Sequence, residues 1–154
     1  MMGRQIISLA IAAAGIAAIA AAIMTISISN EKADPDDSKQ VSLGKTMYAA
    51  NCAFCHGAQL EGQTEWQIRK PDGRLPAPPH DVSGHTWHHS DDALFGIVKN
   101  GIAAYAPPGY ESNMPAFGNA LSDQQIWAVL AFIKSSWPQN IRDGQQRRKD
   151  AARR

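Results

Sequence analysis

The sequence predicts an all-α protein: a small, loop-rich helical domain behind an amino-terminal apolar helix. Three observations carry this prediction. Apolar residues recur at helical spacing in the stretch leading to Cys52, in "SDDALFGIVKNG" and in "LSDQQIWAVLAFIKSSWP". No segment alternates as a half-buried strand would, and no internal repeat is visible. The intervening stretches are rich in Gly and Pro, and 154 residues make one domain's worth of chain.

Residues 1–30 come first. Ile6–Ile28 carries no charge, and it is preceded by Arg4 and followed by "EKADPDD". As a helix it spans roughly 34 Å, enough for a bilayer core of about 30 Å. A cleavable signal has a shorter apolar stretch, about 7–15 residues. Length therefore favours a retained transmembrane anchor. Ala20-Ala21-Ala22 and Ser27-Ile28-Ser29 are weak cleavage sites, and they keep a cleaved, soluble periplasmic form as the alternative. The charge asymmetry places the amino end in the cytoplasm and everything after residue 30 outside. The expected location is the bacterial inner membrane, single-pass, with the domain facing the periplasm.

Residues 31–40, "EKADPDDSKQ", read as a polar linker to a domain over 41–138. Val41, Leu43, Met47, Tyr48 and Ala50 share one broad face of a short helix running into Cys52. The stretch 57–89 has too many prolines, in "KPDGRLPAPPHD", for a helix interior or a central strand, and it reads as loop. Ser90 is suited as N-cap of the next helix, Asp91 and Asp92 favour its positive end, and Gly101 stops it. The last helix has a capping box from Ser122 and Gln125 and a hydrophobic staple from Leu121 and Ile126. Pro138 ends it. Residues 139–154, with six basic against two acidic side chains, read as a solvated, disordered tail. Overall charge is nearly balanced, 15 basic against 14 acidic, so no chain-wide basic field exists to hold nucleic acid.

Both cysteines lie in "NCAFCHGAQ". In an oxidising compartment they could form a disulfide, but no βαβ pattern flanks the pair, and so small a loop removes little chain entropy. Zinc or copper could take Cys52 and Cys55 with two of His80, His85, His88 and His89. The long gap from Cys55 to His85 does not match finger spacing, and His56 is left unexplained. Haem accounts for all three residues: two thiols add across its vinyl groups, and the following histidine lies under the iron. The chain is built for export, and "SNMPAF" supplies a sulfur ligand in Met114, the one methionine in a downstream loop, stiffened by Pro115.

With "CAFCH" as attachment motif, "NMPAF" as sixth-ligand loop and a carboxy-terminal helix over 122–137, the chain resembles a class I c-type cytochrome over about residues 41–138. Within that family it is similar to small mono-haem cytochromes like the cytochrome c subunits and domains of bacterial haem–copper oxidases and periplasmic dehydrogenases. The resemblance implies a class I cytochrome c-like helical fold around one covalent haem c. Cys52 and Cys55 would attach it, and His56 and Met114 would be its axial ligands. It also implies that a small residue and aromatics meet where the first and last helices cross, for which Gly44, Tyr48 and Trp127 are suited. A proline carbonyl would accept the proximal imidazole N–H, with Pro78 favoured over Pro76 and Pro79. Leu94, Phe95, Ile97, Val98 and Phe117 are candidates for the haem wall, or equally for ordinary core. "HDVSGHTWHHSD" departs from the family pattern. It reads as a surface loop, with a replacement of Met114 by histidine or a peripheral metal site of His85, His88 and His89 as alternatives.

An iron filled on both faces leaves no position for substrate, so the resemblance implies one-electron transfer rather than catalysis. The expected partners are a membrane or periplasmic redox donor and an acceptor, met through weak, small encounters. The competing function is zinc or copper binding by the cysteine pair and the histidine-rich loop.

Overall fold

The structure, a computed structural model, describes residues 32–151. The apolar segment 6–28, read above as an anchor or signal helix, lies outside them. Among the described residues there are five α-helices and two 3-10 turns and no strand. The helices are α1 (Ser38–Asn51), α2 (Ala53–His56), α3 (Asp91–Asn100), α4 (Asp123–Ser135) and α5 (Gln139–Ala151). The 3-10 turns are Thr86–His88 and Ile102–Ala104. No described helix is long and apolar enough to cross a membrane.

The segment expected to be a linker is part of the fold. Asp37 caps α1, its carboxylate accepting the N–H groups of Lys39 and Gln40. The Gln40 side chain accepts the Asp34 N–H at 2.7 Å and donates to the Lys32 carbonyl at 3.0 Å. These two bonds fold residues 32–37 back onto the helix and bury Ala33. Composition alone reads as a tether because the amide that closes this turn looks like any other polar residue.

α1 and α4 form the central pair. They meet at Gly44, where a Cβ would lie 1.9 Å from the Ala128 carbonyl oxygen, so only glycine admits this approach. One turn on, the Tyr48 ring packs on Phe132 at 5.3 Å between centroids. Trp127, expected at this crossing, instead stacks on Phe95 of α3 at 4.3 Å. The core thus has two parts. Leu94, Trp127, Leu130, Ala131 and Ala33 join α3 to α4, while Tyr48, Leu60, Val129, Ile133 and Trp137 pack beneath α2.

Both expected caps form: Ser90 accepts the Ala93 N–H, and Ser122 with Gln125 makes the capping box. A buried ion pair locks the two helices end to end, Lys134 Nζ donating to both Asp91 carboxylate oxygens at 2.7 and 2.9 Å.

The tail read as disordered is helical through α5. Ile141 packs on the cluster that contains Trp137. Gln145 is buried and donates to the His89 carbonyl at 2.9 Å. Arg148 donates to the Trp87 carbonyl and lies over its indole, and Arg142 pairs with Asp36 at 2.8 Å. One isoleucine and a few long polar side chains suffice because they meet partners already fixed by the domain.

Candidate haem site

α1 delivers the cysteine motif. Cys52 follows its last residue, the Cys52 N–H still bonded to the Tyr48 carbonyl at 2.8 Å. The chain then turns into α2, with the N–H groups of Cys55 and His56 both donating to the Cys52 carbonyl. This single turn sets the two thiols on neighbouring positions and brings His56 directly behind them. Gly57, with φ of 82°, ends the turn, and its carbonyl accepts the Tyr48 hydroxyl at 2.9 Å. Tyr48 therefore ties the helix that enters the motif to the residue that leaves it.

Both cysteines are free thiols, so the disulfide reading is not realised: Cys52 is half-buried and Cys55 exposed. Burial, with the neighbouring Cys55 second, pushes the Cys52 thiol up to about 11, which keeps it uncharged. Phe54 between them is 98% exposed.

His56 is 9% exposed, and its Nδ1 lies 2.8 Å from the Pro78 carbonyl oxygen. A carbonyl only accepts, so Nδ1 carries the proton. Burial lowers the His56 pKa, against the opposing pull of that bond, and keeps the ring neutral. The bare lone pair is then on Nε2, the nitrogen a metal would take.

The proline-rich stretch makes this possible. Prolines have no N–H to donate, but their carbonyls remain acceptors. The strap over 77–81 is fastened to residues 60–63 by Gln63 N–H to Ala77, His80 N–H to Leu60 and Ala77 N–H to the Gln63 side chain. Gly62 lets it approach, since a Cβ there would lie 2.4 Å from Pro79 N. Pro78 is left facing His56.

His80 enters the site from the same strap, a placement the sequence reading does not give it. Its ring stacks on His56, centroids 4.0 Å apart and planes 21° from parallel, and meets Tyr48 edge-on at 6.3 Å. Burial above all pushes the His80 imidazole well below its usual range, with His56 and His85 adding to the effect. Trp137 Nε1 donates to the His80 carbonyl at 2.7 Å. Only the proximity of Pro78 in sequence could have pointed to His80.

Met114 is half-buried, and its N–H donates to Ser112 Oγ at 3.0 Å. The loop after it is sewn to the end of α3, Phe117 N–H donating to Val98 and Gly118 N–H to Lys99. Leu94, Phe95 and Val98 lie in the core shared by α3 and α4, whereas Ile97 and Phe117 are half-buried outside it.

The zinc or copper reading gains no support. Among the described residues no three His, Cys, Asp or Glu side chains are grouped to hold a metal ion. His85, His88 and His89 do not form one three-ligand site: the His85 and His89 rings meet at 5.4 Å, while His85 also stacks on Trp66 and His88 turns to Trp87.

The donor set fits haem c. Two uncrosslinked thiols one helical turn apart, followed by a neutral imidazole whose far nitrogen is committed to a carbonyl, meet the needs of thioether attachment and axial ligation. Residues 41–137 match the cytochrome c family, and the chain belongs to it, as a class I c-type cytochrome. Membership implies haem c and electron transfer. One relative is the Cbb3-type cytochrome c oxidase subunit CcoP of Azospirillum sp. (strain B510), 30% identical over 97 residues, covering 63% of this chain but only 29% of the subunit. Another is cytochrome c-555 of Prosthecochloris aestuarii, also 30% identical, over 95 residues, 58% of this chain and 81% of the relative. No solved structure gives a significant match.

Proposed function

We propose that this protein is a mono-haem electron carrier. Cys52 and Cys55 hold the haem, and His56 and Met114 ligate it. Residues 1–30 keep the domain at the periplasmic face of the bacterial inner membrane, or are cleaved to release it there. Its partners are a membrane or periplasmic donor and an acceptor. The observation that carries this reading is the His56 ring, neutral and fixed by Pro78 immediately beside two free thiols.

Bound haem supplies the one-electron couple; the chain determines how freely that couple works. Pro78 holds the proton on His56 Nδ1 and so fixes the tautomer. Met114 offers a thioether, which favours the reduced state of an iron it ligates. Leu94, Phe95, Ile97, Val98 and Phe117 supply apolar walls against water. Phe54, almost fully exposed between the attachment thiols, presents apolar surface where a partner would approach. One C-x-x-C-H supports one haem. The likeness to an oxidase subunit supports an oxidase as the acceptor, reached through a small, transient interface.

The test is mass and absorption spectroscopy of the full chain from a host competent for haem attachment. The expected result is the added mass of one haem and a far-red iron–thioether charge-transfer band. Met114→Ala abolishes that band and lets the reduced protein bind carbon monoxide. A wild-type chain without added haem refutes the function, and a band that survives Met114→Ala refutes the ligand.

A further inference from the structure

We propose that His80 is a positioning residue that sets the plane of the axial histidine. The proposal rests on His56 being an iron ligand. A hydrogen bond from Nδ1 to Pro78 tolerates a range of ring tilts, reached by small rotations about the Cβ–Cγ bond, because hydrogen-bond geometry at a carbonyl is broad. A flat neighbour lying nearly parallel to the ring removes that remaining freedom. His80 is such a neighbour, at 4.0 Å and 21°.

His80 is itself held on every side. Its Nδ1 lies 2.8 Å from Thr86 Oγ1. The Thr86 hydroxyl donates to the Pro79 carbonyl, so its oxygen is left to accept from the His80 ring. The His80 N–H is bonded to Leu60, its carbonyl to Trp137, and its ring makes a T-shaped contact with Tyr48. A continuous row of rings, Phe132, Tyr48, His80 and His56, thus runs from α4 across α1 to the ligand. A leucine would fill the same space, but it offers no planar face. The distinction between filling and orienting is what the experiment reads.

The variants are His80→Leu and His80→Phe in the full-length haem protein. The readouts are the low-spin EPR signal, the pattern of hyperfine-shifted haem methyl resonances, the reduction potential and the thermal midpoint. EPR and methyl shifts report the orientation of the axial imidazole, which a purely space-filling role would not move. His80→Leu is expected to broaden the EPR signal, compress the spread of methyl shifts and move the potential. His80→Phe, which keeps a stacked ring, restores all three towards wild type even where its midpoint falls through loss of the Thr86 bond. Wild-type spectra and potential in His80→Leu overturn the proposal, as does a His80→Phe protein that behaves like His80→Leu. Should His80→Leu fail to fold, Thr86→Val removes the anchor and keeps both rings. It is then expected to broaden the EPR signal, and an unchanged signal overturns the idea. A wild-type chain lacking covalent haem would instead remove the reading beneath it.

Discussion

Gly44→Ala tests the helix crossing that carries the motif. The new Cβ would lie 1.9 Å from the Ala128 carbonyl oxygen, 2.5 Å from its carbon and 2.9 Å from Phe132 Cβ. Ordinary contact begins near 3.4 Å, so α1 and α4 must part until the 1.9 Å approach has opened to that distance. The nearest atoms are backbone in mid-helix and cannot rotate away. Overpacking costs about 1–3 kcal/mol where side chains can give, and this contact belongs at or above the upper end. Separation also loosens Tyr48 on Phe132, because a gap of about 0.5–1 Å forfeits a quarter to a half of a dispersion contact. Alanine recovers about 1 kcal/mol of helix propensity over glycine. The net loss is about 2 kcal/mol, or a thermal midpoint lowered by about 8 °C for a domain of this size. Far-UV circular dichroism of the haem-loaded protein measures it. Gly144→Ala in α5 is the reference: its Cβ meets only Arg148 Nη1 at 3.7 Å and Arg147 Nη2 at 3.8 Å. That variant should hold or gain stability. A Gly44→Ala midpoint at or above wild type would refute the crossing described here.

Two further predictions concern elements that the cysteine motif does not touch. Lys134→Met leaves the Asp91 carboxylate buried without its ammonium and should cost roughly 3–5 kcal/mol, read by urea denaturation. The double variant with Asp91→Asn should recover part of that, and a single-variant loss under about 1 kcal/mol would mean that the pair is solvated. Removal of residues 139–154 severs Gln145 from His89, Arg148 from Trp87 and Arg142 from Asp36. Hydrogen exchange should then quicken over the Thr86–His88 turn and the thermal midpoint should fall, with the absorption spectrum unchanged; wild-type exchange there would show that α5 is not docked.

The parts of the fold that are legible in the sequence are those set by local chemistry. Ser90 and Ser122 announce helix starts because a capping hydroxyl acts on an N–H within the first turn. Gly101 announces a stop for an equally local reason, the positive φ of 83° that glycine takes at the end of α3. Glycine at 44 suggests a close crossing, yet its opposite number cannot be read: Ala128 serves through its backbone, and Trp127 points to α3 instead. Residues 32–37 and 139–151 mislead because their order comes from individual side-chain contacts, among them Gln40 to Lys32 and Gln145 to His89, which leave no periodic trace. The site divides along the same line. Cys52, Cys55 and His56 are nearly contiguous and form a motif. His80 lies far along the chain from His56 and reaches it only because the proline strap is pinned to residues 60–63.

That strap also explains why stability and electron transfer draw on the same residues here. A carrier that cycles between two oxidation states works best when its ligands barely move, so the groups around them must be locked beforehand. Tyr48 serves both ends: its ring sits in the core against Phe132, and its hydroxyl holds the Gly57 carbonyl at the exit of the cysteine motif. Trp137 likewise buries its indole in the core while its N–H holds the His80 carbonyl. In each case an aromatic body contributes packing and its polar tip fixes backbone beside His56. The proximal side is therefore built from the α1–α4 core outward. The loop that carries Met114 is held differently, near the surface, by Ser112, by the Arg74–Glu111 pair at 3.0 Å and by the end of α3.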